Sequence, residues 1–298
     1  MKVNGLNTER PNPVSANLDQ MSSLEFVHLM NRQDATVARG IKKVLPEIAR
    51  AIDVIFERLR GGGRLIYVGS GTSGRIGALD ASECSGTFGT DPSMVQFVIA
   101  GGERALAHGV EANEDSAELG RKDTASKKPG KKDVVVGLAA SGRTPYTVAA
   151  LEYARHKGSA VIAVSCNKNS PLAAVADVAI EIDVGPEVLT GSTRLKAGTA
   201  QKLICNMLTT GAMTRLGYVY GNLMVNLRPR NIKLFERGIN VVQHITNSDR
   251  DRAVQALKTA GMSVPVAIVM LKANIGKAEA SRRLKAAQGN VRRVLEAY

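Results

Sequence analysis

Apolar positions change their period several times along the chain. Across "SSLEFVHLMNRQDATVARGIKKVLPEIARAIDVIFERLRGGG" they recur at helical spacing, and Gly61, Gly62 and Gly63 predict where that helix stops. The run "RLIYVG" predicts a strand, followed by a helix opening near Ser73. "MVQFVIAGG" predicts a second strand, and "RALAHGVEANEDSAELG" a helix closed by Gly120. "DVVVGLAASG" predicts a third strand, with a helix from Pro145, a favoured first-turn residue, through His156. "SAVIAVSC" and "VAIEIDVG" predict two more strands, before a long helix over about Ser192 to Leu216 and another near Arg230 to Ile245.

Continuous β-branched runs alternating with helices predict an α/β fold, a parallel sheet covered by helices on both faces. From Ser248 onward only helical periodicity remains, enough for about three short helices broken near Gly261 and Gly276. The expected organisation is one domain over 1–245 and a small helical domain over 246–298.

Composition narrows the class. With 298 residues, 44% hydrophobic and 22% charged, the chain reads as an ordinary soluble globular protein. Its first residues carry no apolar secretory core, and its longest apolar run, "VPVAIVML", is too short to span a bilayer, so no membrane association is expected. Cys84, Cys166 and Cys205 are scattered and form no C-x-x-C pair, which argues against disulfides or a zinc site and fits a reducing cytoplasm. His28, His108, His156 and His244 are equally isolated, so no metal is expected.

The net charge of +13 is concentrated in the tail: Arg228 to Tyr298 holds fourteen Lys/Arg against five Asp/Glu, which is +9. A nucleic-acid surface would need a recognition helix or interleaved aromatics, and the chain has 4% aromatics and no Trp. The expectation is a solvated basic face that draws anionic metabolites, not nucleic acid.

The candidate chemistry lies in two loops. Gly69, Gly71 and Gly74 satisfy G-x-G-x-x-G after the first strand, the pattern of a dinucleotide turn. The second strand ends "VIAGGE", where Glu103 is a poor match to the ribose-binding acid that such a site needs. Ser70, Thr72 and Ser73 instead line the turn with hydroxyls at a helix N-terminus, which suits a terminal phosphate; no NAD is expected. The third strand ends in a second loop of this kind, "ASGRTP", presenting Ser141, the Gly142 N–H, Arg143 and Thr144. Two such loops at the carboxyl ends of parallel strands predict a phosphomonoester ligand, with Arg143 a further anion contact.

"GSGTSGR" and "ASGRTP" resemble the phosphate loops of the SIS (sugar isomerase) domain. More narrowly, "RLIYVGSGTSGRIGALDASEC", "IAGGE", "DVVVGLAASGRTPY", "GPEVLTGSTRLKAGTAQK" and "YGNLMV" resemble the N-acetylmuramic acid 6-phosphate etherase family, from about Glu9 to the end. The resemblance implies a flavodoxin-like three-layer fold, a C-terminal ubiquitin-associated-like helical bundle and a cytoplasmic homodimer that works without metal or other cofactor. It also implies cleavage of the D-lactyl ether of N-acetylmuramic acid 6-phosphate to N-acetylglucosamine 6-phosphate and D-lactate, in cell-wall recycling.

By the same resemblance Glu83, in "DASEC", is the acid that assists lactate departure, and Glu114, in "EANED", the base at carbon 2. Glu187 and Ser192 line the sugar. Lys196 and Lys202 are candidates to neutralise the lactyl carboxylate, and a basic helix face explains them equally well. By spacing alone these residues read more blandly: Glu111, Glu114 and Glu118 as a solvated helix face, Asp80 and Glu83 as a surface pair, and Ser192 and Thr193 as an N-cap. An unbroken helix from Ser73 would carry Glu83 about 15 Å from the phosphate loop. Either the helix ends early, as Gly77 permits, or Glu83 serves the site of a second subunit. An aldose–ketose isomerase and a non-catalytic sugar-phosphate sensor remain as alternatives on this scaffold.

Overall fold

The structure, a computed structural model, describes residues 5–109, 113–229 and 231–297. They form two compact units, Met1–Ser82 with Ser93–Thr209, and Glu83–Pro92 with Thr210–Tyr298.

The first unit is built on five parallel strands: β1 (Leu65–Gly69), β2 (Val95–Ile99), β3 (Val134–Ala139), β4 (Ala160–Ser165) and β5 (Val178–Glu181). Their order is β2-β1-β3-β4-β5. Tyr67 of β1 lies between Phe97 of β2 and Val136 of β3. Every residue of β1, β3 and β4 is buried, as expected of strands with helices on both faces. Ile66, Val68, Val135, Val161 and Ala163 pack on one face against Tyr146, Ala150, Leu151 and Ala154 of helix α5 (Pro145–His156). On the other face lies helix α3 (Gly71–Phe88), where Gly77 sits so close that a Cβ would fall 2.9 Å from Tyr67 Cβ. Gly77 therefore serves close packing and does not end the helix.

The single helix expected over Ser22 to Arg60 is two, α1 (Ser23–Lys42) and α2 (Leu45–Arg60). Ser22 and Glu25 close a capping box at the start of α1, and Pro46 in the first turn of α2 cannot donate back to the preceding helix. The helix expected from Arg104 to Gly120 does not form. A 3₁₀ turn over Glu103–Leu106 and helix α4 (Ala117–Ser126), capped by Ser116, stand there, with Gly120 inside α4. Gly120 is needed at that point because a Cβ would fall 2.1 Å from the Tyr146 carbonyl oxygen. Short helix α6 (Pro171–Ala174), unsuspected from the pattern, precedes β5. Helix α7 covers Lys196–Leu216.

The second unit holds α8 (Ile232–Thr246), α9 (Arg250–Thr259), α10 (Val264–Ala273), α11 (Lys277–Ala286) and α12 (Val291–Glu296). Its tail breaks near Gly261 and Gly276 as expected, and once more near Gly289, so four helices stand where about three were anticipated. The expected boundary at 245/246 falls inside this unit. Ile239, Val242 and Ile245 of α8 share one core with Leu257, Val264 and Ile268 of the tail. The apolar run "VPVAIVML" is the buried centre of that core. No single helix among the described residues is long and apolar enough to cross a membrane. Much of the tail's basic charge lies along exposed helix faces, where Arg250 pairs with Glu236 (2.8 Å) and Arg282 with Glu279 (2.6 Å).

Candidate functional site

In a sheet of this order the connections from β1 and β3 leave in opposite directions, which opens a crevice at their carboxyl ends. A cavity of about 530 Å³ occupies it. Its wall carries Ser70 after β1, Gly71, Thr72 and Ser73 from the first turn of α3, Ser141 and Thr144 from the β3–α5 turn, and Glu114. The first N–H groups of α3 have no helical acceptor, as at every helix start, and the residues that carry them, Gly71, Thr72 and Ser73, are on this wall. Thr144 is the N-cap residue of α5, yet its hydroxyl makes no capping bond. Ser141 Oγ accepts the Arg143 N–H (3.1 Å) and keeps its own proton to donate.

The glycines of the first loop have physical reasons other than a dinucleotide. A Cβ on Gly69 would meet Gly74 N at 2.9 Å, and one on Gly74 would meet Ile99 Cγ1 at 2.6 Å, so both permit α3 to lie against the strands. Gly71 has φ +49°, and a Cβ there would fall 2.8 Å from Glu114 Oε1. A carboxylate therefore covers the glycine where a pyrophosphate would need open backbone.

Glu114 reaches this place from an irregular segment, not from a helix, so the reading of a solvated acidic stripe does not hold; Glu111 lies outside the described residues. The Glu114 carbonyl accepts the Tyr146 N–H of α5 (3.1 Å), which ties the segment to the β3–α5 turn.

Residues 47–155 match the glucokinase regulatory protein N-terminal SIS domain, and residues 126–211 match the SIS domain. A solved phosphoheptose isomerase from Francisella tularensis superposes with a TM-score of 0.53 at 19% identity, covering 65% of this chain and all of that one, a likeness of fold. N-acetylmuramic acid 6-phosphate etherase of Pasteurella multocida is 50% identical over 293 residues, 98% of this chain and 97% of the relative. The etherase of Symbiobacterium thermophilum is 56% identical over 276 residues, 92% of this chain and 91% of the relative. This chain belongs to the N-acetylmuramic acid 6-phosphate etherase family.

Several residues singled out in the etherase motifs lie away from the cavity wall. Glu187 is fully buried, and its carboxylate accepts the Lys196 and Ala197 N–H groups (2.9 Å each) at the start of α7. It caps that helix, a task expected of Ser192 and Thr193, and burial raises its pKa even though those N–H bonds oppose the shift. Ser192 is off the wall, whereas its neighbour Thr193 is on it. The Gly142 N–H donates to the Ala139 carbonyl (3.0 Å), so it is not an open donor. With φ +66° and Ser170 Oγ 2.6 Å from a Cβ position, Gly142 is there for the turn. Arg143 is also off the wall, and its Nε is buried without an acceptor among the described residues.

Lys196 is buried and donates to Gln33 Oε1 (3.2 Å), with its pKa lowered by that burial, while Lys202 is exposed. Asp80, the surface partner expected for Glu83, is buried and accepts from Asn206 (2.7 Å), Tyr67 (2.9 Å) and Thr209 (3.3 Å). Helix α3 runs unbroken past Gly77, and Glu83 is exposed on it.

Among the polar wall residues, Glu9, Arg75 and Asp115 escaped the sequence reading, and Thr193 was read only as an N-cap. Arg75 stood in plain view inside "GTSGR". Glu9 is brought in because Asn167, just beyond β4, binds both Asn7 N (2.9 Å) and Thr8 Oγ1 (3.1 Å), a tertiary contact with no local signature. Among the described residues no group of three His, Cys, Asp or Glu is placed to hold a metal ion.

Proposed function

We propose that the protein cleaves the D-lactyl ether of N-acetylmuramic acid 6-phosphate, giving N-acetylglucosamine 6-phosphate and D-lactate, as a cytoplasmic carbon–oxygen lyase of cell-wall amino-sugar recycling. Near-full-length etherase kinship supports the substrate, and the Glu114 carboxylate standing over the phosphate loop is the observation that carries the chemistry. Ser70, Thr72, Ser73, Ser141 and Thr144 hold the 6-phosphate through their hydroxyls, with the first N–H groups of α3. In the open-chain aldehyde the carbonyl acidifies the hydrogen on carbon 2. Glu114 removes that proton, the bond from carbon 3 to the lactyl oxygen breaks, and an acid protonates the departing oxygen. Water then adds to the unsaturated aldehyde, its hydroxyl going to carbon 3 and a proton to carbon 2. Each proton transfer contributes roughly 10²–10⁴-fold.

Glu83 is the proposed acid, acting in the site of a second copy within a homodimer. Its exposure supports this, as does Leu79, one turn earlier on the same helix and 52% exposed. Incubating the purified protein with N-acetylmuramic acid 6-phosphate and assaying D-lactate tests the function; no release would sink it.

A further inference from the structure

The proposed substrate carries two anionic groups at opposite ends, the 6-phosphate and the lactyl carboxylate. The hydroxyl loops provide for the first. The cavity wall otherwise carries three carboxyl side chains, Glu9, Glu114 and Asp115, which disfavour a second anion. Among the described residues of that wall one cation opposes them, Arg75.

Arg75 is held in a particular way. Its Nε donates to the Ala105 carbonyl and its Nη2 to the His108 carbonyl, each at 2.9 Å. Both acceptors are neutral backbone groups, so the fork is fixed without being neutralised, and among the described residues it forms no ion pair. Two carbonyls on one side leave the Nη1 donors and the second Nη2 proton for a ligand, the arrangement that suits a planar carboxylate.

The topology places this fork on the opposite side of the β1 loop from the hydroxyls of Ser141 and Thr144. Ala105 and His108 follow β2, which pairs with β1 on one side, while Ser141 and Thr144 follow β3 on the other. The β1 loop lies between them, with Glu114 above Gly71.

We propose that the Arg75 guanidinium binds the lactyl carboxylate and thereby distinguishes the ether substrate from its de-lactylated product. This rests on the etherase reading above and adds the residue that sets its specificity. In turnover it holds the carboxylate while the bond at carbon 3 breaks, and lactate departs with its charge unchanged. The product lacks that carboxylate and binds through the phosphate loops alone.

The test compares wild-type protein and Arg75→Gln in D-lactate release from N-acetylmuramic acid 6-phosphate, and in inhibition by N-acetylglucosamine 6-phosphate. One charge-assisted contact predicts a KM raised roughly tenfold to hundredfold in the variant, with product inhibition unchanged. A KM equal to wild type overturns the proposal, as does equal weakening towards substrate and product. A second measurement needs no folded variant: wild-type protein should bind the substrate whose lactyl carboxylate is capped as its amide roughly tenfold or more weakly than the acid. Equal affinity for amide and acid overturns the proposal too. If wild-type protein releases no D-lactate from the acid, the etherase reading itself fails, which is a separate outcome.

Discussion

The carboxylate of Glu114 stands over Gly71, with Oε1 2.8 Å from the point a Cβ on that glycine would occupy. One missing side chain thus makes room for the proposed base at the edge of the proposed phosphate loop. Gly71→Ala tests this. Its left-handed backbone, φ +49°, predicts a stability loss of about 1–2 kcal/mol for any side chain. The obstructing atom is the end of a flexible chain, so the fold survives while the carboxylate is pushed aside. A displacement of that kind predicts a kcat lower by roughly a hundredfold. A variant that melts as predicted but turns over normally would show that Glu114 does not act from this position.

Thr144 separates recognition from stability. It occupies the N-cap of α5 without a capping bond, so Thr144→Val removes a hydroxyl that the helix does not use. Thermal melting should stay within about 0.5 kcal/mol of wild type. Substrate affinity should fall by about 1.5–3 kcal/mol, the value of one hydrogen bond to a charged acceptor. Unchanged rates at low substrate would remove Thr144 from the phosphate site.

The architecture was largely legible, and the site only in part, for identifiable reasons. Helix α5 was read to the residue because Pro145 pre-sets its first turn, a purely local signal. The parallel sheet followed from uninterrupted β-branched runs. Glu187 was misread because its partners, the N–H groups of Lys196 and Ala197, become partners only when the chain folds back. Asp80 is buried for the same kind of reason, since Tyr67, Asn206 and Thr209 converge on it from distant positions. The literal G-x-G-x-x-G was read through its hydroxyls, while the close approach that requires Gly69 and Gly74 could be seen only in three dimensions.

Asp133 predicts an acid-labile part of the stability. It is buried at the head of β3, where its carboxylate accepts Arg64 N (2.9 Å), Arg64 Nη2 (2.7 Å) and Gly130 N (3.0 Å). Burial alone would raise its pKa, but the Arg64 and Gly130 bonds outweigh that and hold it below the ordinary carboxylate value. A depressed folded pKa means stability that is present above the unfolded value, near 4, and lost as pH falls through the folded one. Asp133→Asn should cost about 1–3 kcal/mol at neutral pH. Denaturant titrations of the two proteins should converge below about pH 4. A constant gap down to pH 2 would contradict the assignment.

The two proposed catalytic glutamates differ in when they act. Glu114 is needed to take the carbon-2 proton, Glu83 only when lactate leaves. In deuterated water Glu83→Ala should still exchange deuterium into carbon 2 while releasing no lactate, and Glu114→Ala should show neither. Exchange that persists without Glu114 would place the base elsewhere. If Glu83→Ala keeps etherase activity, Asp80 and Glu187 are poor substitutes, since both carboxylates are bound in structural contacts.

Mixing the two inactive variants decides whose site Glu83 serves. In a symmetric dimer with Glu83 acting across the interface, each site combines Glu114 of one chain with Glu83 of the other. A mixed dimer of Glu83→Ala and Glu114→Ala then has one site lacking both groups and one site with both intact. Random re-association makes half the dimers mixed, so activity should return to about a quarter of wild type, from two preparations that are each inactive. The recovery should require subunit exchange and vanish when the dimers are cross-linked before mixing. Were Glu83 to act within its own chain, every site in every dimer would lack one group, and no mixture would recover. Inactive mixtures despite demonstrated exchange would therefore sink the shared site. The helix from Gly71 to Phe88 would then have to bend to bring Glu83 to its own loop, against the unbroken course it takes past Gly77.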